Sequence, residues 1–537
     1  MHMKKYRMLI AVSSLAMVFG SCLKKLDQLP TNGLTAPQLY STPQGYQQAI
    51  AKVYSAWALT GNQGGAGQPD LPTQIIADEG NSDFYRDYWY LQCLTTDEAG
   101  WNYHSSTDPL LIHEMQWDAN NEVVGGLYYR SFFQITLAND FINQSSDANL
   151  ASRGITGASA DTIREYQREA RFIRAYQYWV LMDLYGNPPF VDEHTVIGSP
   201  ALPKQIKRAD LYNYVVAELE SLGTSLPAPK GNAYGRPDQA AAWSLLARVF
   251  LNAAVYTGTP QYDSAVTYCN KVINAGYTLH PKYSELFLAD NYLNTDEFIF
   301  VIPYDGTHTQ TYGGTTVLVN GPAGVPHSVS GGAQTGSWNC IRITQQFVGL
   351  FDTANDKRGQ FWTPGQSLDM TVLLGAPTDG YSSYKFRNVT RSGAEDPDTD
   401  PSTTFSSIDL PLFRLAEIYL IYAEATLRGA STGNQTLALG YVNALRARAY
   451  IGNPGNHGAL GSITLQNILD ERGRELLWEG FRRTDLVRYG QFTSGSYLWA
   501  WKGGVQNGTG VSDNLNLYPI PQFDISANHN LIQNPGY

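Results

Sequence analysis

Residues 161–186, "DTIREYQREARFIRAYQYWVLMDLYG", carry the clearest periodicity in the chain. Phe172, Tyr176, Trp179, Met182 and Leu184 recur at near-helical spacing, and Gly186 with Pro188 stops the run. A helix with so aromatic a stripe must bury it against neighbours. "ADLYNYVVAELESL" (209–222) is placed to pack back on it. Further helical segments are "PQGYQQAIAKVYSAWAL" (43–59), "RPDQAAAWSLLARVFLNAAVYTG" (236–258) and "PQYDSAVTYCNKVINAGY" (260–277), the last two paired across a Gly/Thr/Pro turn. "DLPLFRLAEIYLIYAEATLRG" (409–429) and "NQTLALGYVNALRARAY" (434–450) form another pair.

Helix pairs with Ala at close-approach positions and short turns are similar to tetratricopeptide-type hairpins, although their spacing here is irregular. Residues 60–120 and 303–408 differ: they are rich in Gly, Thr, Asn, Asp and Pro, with scattered aromatics. They are expected to be long ordered loops with short strands, the kind of segment that carries function on a rigid scaffold. The expectation is a mainly α single domain over 37–537: an irregular tetratricopeptide-like helix-pair scaffold whose loop-rich insertions form the ligand face.

The 537 residues are 43% hydrophobic and 16% charged, a globular balance. Tyrosine is heavy at 35 residues, beside 11 Trp. Such amphipathic rings suit a surface where one face meets a ligand and one edge meets water. "MHMKKYR" is a basic start, and "MLIAVSSLAMVF" (8–19) is an apolar run too short to span a bilayer. "GSC" then ends at Cys22 and resembles a bacterial lipobox, with Phe19 where Leu is usual. A signal peptide over 1–21, lipidation of Cys22 and a tether over 22–36 are expected. Each buried acyl methylene adds about 0.8 kcal/mol of membrane affinity. Loss of Lys4, Lys5 and Arg7 with the leader takes the net charge from −11 to −14, which excludes a nucleic-acid partner. Cys93, Cys269 and Cys340 lack metal-ligand spacing and are expected as buried free thiols.

"TTDEAGWNYHSS" (95–106) sets Asp97 and Glu98 just ahead of Trp101 and Tyr103. Glycosidases place two carboxyls about 5–9.5 Å apart across the scissile bond. Adjacent carboxylates in an extended segment point to opposite sides, and nothing nominates a third. There is no G-x-S-x-G, H-E-x-x-H or P-loop. No catalytic residue is therefore expected. "DPDTDPSTTFSS" (396–407) begins like a calcium loop with Asp396, Asp398 and Asp400, but lacks the sixth-position Gly and twelfth-position Glu of an EF-hand. "ERGRELLWEGFRR" (471–483) reads as a charged helix with internal ion pairs, and Tyr497, Trp499 and Trp501 as core.

At "REARFIRAYQYWVLMDLYGNPPFV" (168–191) the chain resembles the SusD/RagB family of outer-membrane nutrient-binding lipoproteins. The resemblance recurs at 235–258, 410–425, 468–492 and in the ending "YPIPQFDISANHNLIQNPGY" (518–537). The loops "GQPDL" (67–71), "DFYR" (83–86), "YGGTT" (312–316), "GSWNC" (336–340) and "YLWAWKGGVQNGT" (497–509) look most like the family's starch-binding member. The resemblance implies a non-catalytic surface protein that captures starch or maltooligosaccharide and passes it to a SusC-like TonB-dependent transporter. It implies an aromatic arc at Trp101, Tyr312 and Trp338, each beside glycine in a loop rather than on a periodic element. Arg86 matches a sugar-contacting arginine; its alternative is a salt bridge with Asp83 or Asp87. Tyr103 and Ser106 stand where the starch binder has Trp and Asn. No cofactor is implied, although "DNYLNTDE" (290–297) lies where some members hold a structural calcium.

Overall fold

A computed structural model of the chain describes residues 35–62, 65, 69–104, 106–196, 201–396, 400–452 and 458–537. The leader, Cys22 and most of the tether, and Asp398 of the calcium-like loop, lie outside the described residues.

The principal helices follow the sequence pattern. They are α1 (Pro43–Ala58), α2 (Glu122–Gln144), α3 (Gly157–Tyr185), α4 (Arg208–Ser225), α5 (Gln239–Leu251), α6 (Tyr262–Ile273), α7 (Leu415–Leu427), α8 (Gln435–Ala449), α9 (Leu465–Glu475) and α10 (Arg482–Arg488). From α2 to α8 each packs on the next, and α1 lies across α2 and α3. The helix-pair scaffold is therefore present, with the second insertion entering between α6 and α7. From Glu169 onward α3 is buried almost all round, which a helix tolerates only when enclosed by others. Gly186 ends it with φ 75°, and the Tyr518 amide donates to the Leu184 carbonyl at 2.8 Å, so the C-terminal segment closes over it.

Two local readings change, and one helix, α2, lies outside the segments with helical periodicity. Helix α2 carries no clean stripe, because glycines and aromatics interrupt it; tertiary packing between α1 and α3 holds it. Residues 410–414 are not helical: β6 (Leu410–Arg414) pairs antiparallel with β2 (Phe298–Ile302), with Ile302 opposite Leu410. The 471–483 segment is not one helix. It breaks after Glu475, where Trp478 (φ 62°) and Gly480 (φ 82°) turn the chain.

Its charges also pair outward more than internally. Glu475 accepts from Arg414 at 2.7 Å, from Arg358 at 3.0 Å and from Arg448; Arg414 also binds Glu297 at 3.0 Å and Glu479 at 2.7 Å. Arg248 of α5 forks onto Glu417 of α7 at 2.7 and 2.8 Å. Buried charges are tolerable only when paired this fully. Arg474–Glu471, 2.7 Å, is the internal pair that the sequence pattern suggested. Trp499 is buried as expected, whereas Tyr497 and Trp501 are only half-buried, and Cys93, Cys269 and Cys340 are buried and free.

The insertions contain more helix than expected, including Phe84–Trp89 and the π-turn Tyr90–Leu94 that continues it. Their strands are minimal: β1 (Gly100–Trp101) pairs antiparallel with β3 (Ile341–Arg342), and β4 (Phe361–Trp362) with β5 (Ser382–Ser383). The β1–β3 ladder joins the two insertions. Asn102 extends it, its amide donating to the Cys340 carbonyl at 2.9 Å and its Nδ2 to the Asn339 carbonyl at 3.0 Å.

Candidate functional site

The site is built where the two insertions meet. Asp83 caps the helix Phe84–Trp89: its carboxylate accepts from the amides of Tyr85 at 2.9 Å and Arg86 at 3.0 Å. The same carboxylate accepts from the Gly314 amide at 2.9 Å and the Thr311 hydroxyl at 2.9 Å. It thus holds the turn that carries Tyr312. A methyl group on Gly313 would lie 2.0 Å from the Asp83 Cγ, so only glycine allows this approach.

Arg86 pairs with neither Asp83 nor Asp87 through its side chain. Its Nε donates to the Tyr90 hydroxyl at 3.0 Å, with the guanidinium 5.5 Å from the centre of that ring. The Tyr90 ring meets Trp101 edge-on at 5.7 Å. Trp101 lies in β1, not in an open loop, because its backbone pairs with Ile341. It is only 2% exposed, and its Nε1 donates to the Tyr103 carbonyl at 2.9 Å. It forms a floor. Tyr103, 47% exposed, and Tyr312, 38% exposed, form the rim. Trp338 is half-buried, 6.3 Å from Tyr312 centroid to centroid.

All six residues nominated by the resemblance, Arg86, Trp101, Tyr103, Ser106, Tyr312 and Trp338, line one cleft of about 400 Å3. Asp78, Tyr90 and Cys340 complete it; burial pushes the Cys340 thiol up to about 12, so it is an inert wall. Sequence reasoning missed Tyr90, which is one helical turn from Arg86 in a stretch that reads as core. It also missed Phe405, which backs Tyr312 at 5.3 Å from nearly a hundred residues away in sequence. No local signal announced that contact.

Asp97 and Glu98 point elsewhere. Arg482 forks onto the Asp97 carboxylate at 2.8 and 2.7 Å, and the Tyr497 hydroxyl donates to it at 2.5 Å. Glu98 accepts from the Trp478 amide at 3.2 Å, and burial pushes its carboxyl up to about 8. Both hold the β1 loop on the helical scaffold. Asp78 is the one carboxylate among the described residues lining the cleft. The acids of 290–297 are likewise taken: Asp290 by Arg391 at 3.0 Å, Asp296 by His280 at 2.9 Å, and Glu297 by Arg414 and Arg448. Among the described residues no cluster of three or more His, Cys, Asp or Glu is disposed to hold a metal ion.

An aromatic-edged cleft with fixed polar donors and a single carboxylate defines a binding module for a ligand with apolar faces and hydroxyl edges. A sequence model of the SusD family matches residues 361–537. The chain is 35% identical to the starch-binding protein SusD of Bacteroides thetaiotaomicron, over 98% of each chain. It belongs to the SusD family, whose members are non-catalytic glycan-binding proteins. Its fold is similar to that of surface glycan-binding protein A from Bacteroides fluxus (TM-score 0.69, 23% identity, 92% of this chain and 100% of that one). It is also similar to surface glycan-binding protein A from Bacteroides thetaiotaomicron in complex with laminarihexaose (TM-score 0.68, 20% identity, 91% and 99%).

Proposed function

We propose that this chain is a surface lipoprotein that captures starch and maltooligosaccharides, α-1,4-glucans, and delivers them to a SusC-like TonB-dependent transporter. The observation that carries this reading is the convergence of Arg86, Trp101, Tyr103, Ser106, Tyr312 and Trp338 on one cleft. Sugar rings present C–H faces that pack on aromatic side chains, while their hydroxyls reach polar groups at the edge. Each aromatic contact contributes roughly 0.5–1.5 kcal/mol beyond area burial. A few such contacts with hydrogen bonds suit a dissociation constant of about mM to μM. Lipid attachment at Cys22 would hold the protein on the outer membrane, facing outward. Repeated sugar units and surface anchoring then raise the effective concentration without further contacts. Binding and handover require no cofactor.

The test is calorimetry with maltoheptaose and with a linear β-glucan oligosaccharide, repeated on folded Trp338→Ala. Binding of the α-glucan alone, lost in the variant, is the expected result. A different glycan is the second reading, favoured by Tyr103 and Ser106, which the resemblance sets in place of a Trp and an Asn. Tight binding of the β-glucan with none of amylopectin would establish it.

A further inference from the structure

A second cleft, of about 410 Å3, opens between α1, the first half of α3 and the turn Tyr234–Arg236. Ile50, Val301 and Pro303 contribute to an apolar wall. Opposite, the Arg236 guanidinium lies 5.0 Å from the centre of the Tyr166 ring. Its Nε donates to Glu169 at 3.1 Å and its Nη2 pairs with the other oxygen of the same carboxylate. The Tyr54 hydroxyl donates to Glu169 at 2.7 Å and Asn232 Nδ2 at 3.1 Å, so that buried carboxylate is fully engaged. The Arg236 side chain is 30% exposed.

These contacts select a ligand class. The charge of Arg236 is already balanced by Glu169, so an anion gains little there. What remains is a rigid donor, tyrosine rings and an apolar wall, which suits a neutral polyhydroxy ligand. The second cleft is also close to the first. Pro303 and Thr309 line it, whereas Tyr312 lies on the rim of the first cleft. Three extended residues span at most about 11 Å. Tyr234 is fixed in the second cleft: its hydroxyl donates to Asp409 at 2.6 Å, and the Tyr304 amide donates to the same carboxylate at 2.8 Å.

We propose that this second cleft is a glycan subsite that takes the continuation of a chain bound in the first. The proposal rests on the α-glucan reading above and extends it to chain-length selection. Ala51, exposed on α1 and lining the second cleft, offers a test that removes no contact. Maltotriose and maltoheptaose would be titrated into wild type, Ala51→Trp and Tyr166→Ala, with hydrogen exchange read over 47–58. Wild type should bind maltoheptaose the more tightly, and only maltoheptaose should protect 47–58. Ala51→Trp should weaken maltoheptaose about five- to tenfold and leave maltotriose unchanged. Tyr166→Ala should do the same. Equal affinities in all three proteins, with protection confined to the segments of Tyr103 and Tyr312, would overturn the second subsite and leave the first standing. No binding of either sugar by folded wild type would remove the α-glucan reading and this one with it.

Discussion

One carboxylate, that of Asp83, accepts from both the Arg86 amide at 3.0 Å and the Gly314 amide at 2.9 Å, so it sets two sides of the cleft at once. The helix bearing Arg86 and the turn bearing Tyr312 come from insertions more than two hundred residues apart in sequence, and they share this anchor. Asp83→Asn keeps the shape and an oxygen for the three amides, but removes the charge and sets an NH2 against the Thr311 hydroxyl, whose proton loses its acceptor. An unsatisfied buried group costs about 1–3 kcal/mol. Melting should show that loss, and calorimetry should show weaker binding of maltoheptaose.

Gly313→Ala tests the same anchor from the other side. A methyl group 2.0 Å from the Asp83 Cγ forces the turn outward and moves Tyr312 from the rim. Affinity for maltoheptaose should fall several-fold or more. Gly440→Ala, on α8, whose added methyl meets no neighbour within 4 Å and whose φ is not positive, should leave Tyr312 in place and serve as the control.

The aromatic floor and rim should separate by stability. Trp101 is 2% exposed and packs on Tyr90, so Trp101→Ala should cost about 3–5 kcal/mol of folding free energy as well as binding. Trp338→Ala should lose binding at a much smaller stability cost, because its ring is only half-buried. Denaturant titration beside calorimetry on each variant distinguishes the two roles. Equal stability costs would contradict the assignment of floor and rim.

Glu98 and Glu475 should give opposite pH signatures. Burial raises the folded carboxyl of Glu98 from its ordinary 4.5 to about 8, so the folded state binds the extra proton between those values. Its contribution therefore declines as pH rises from about 4.5 to 8 and is flat above that. Glu98→Gln should raise the melting temperature at pH 8 relative to pH 5. At Glu475, burial would raise the carboxyl, but Arg448, Arg414 and Arg358 together outweigh it and hold the group below 4.5. Its contribution is present above the ordinary value and lost as pH falls through the folded one. Glu475→Gln should cost about 3–5 kcal/mol at pH 7 by leaving those arginines short of a partner, and less at acid pH. Melting curves of both variants across pH 3–9 check the signs.

The scaffold was legible because its helices are long and local. The run from Phe172 to Leu184 announces its own periodicity, and α5 lies within the 236–258 segment, capped by Asp238. The 410–414 strand is hidden because "LPLFRLAEIYLIYAEA" is apolar apart from Arg414, Glu417 and Glu424, and a buried strand running into a buried helix shows no change of period. At the cleft, Trp101, Tyr312 and Trp338 were reached through resemblance and flanking glycines. Tyr90 and Phe405 were not, since their roles arise from contacts made only after the insertions close on each other. Asp83 stood in plain sight before "FYR", but its second set of donors arrives from residues 311–314.

The β1–β3 ladder has a consequence for how such a protein diversifies. Two residue pairs and the Asn102 bonds fasten the insertions, while Glu475, Arg414, Arg448 and Glu479 of the ion network sit in the C-terminal portion matched by the family model, with Arg358 and Glu297 ahead of it. The cleft residues Asp78 to Cys340 lie outside that portion. The cleft lining and most of the Glu475 network thus come from different stretches of the chain. New specificities can be grafted at the rim by rewriting surface loops, with the buried arginines and their carboxylates left as an untouched chassis.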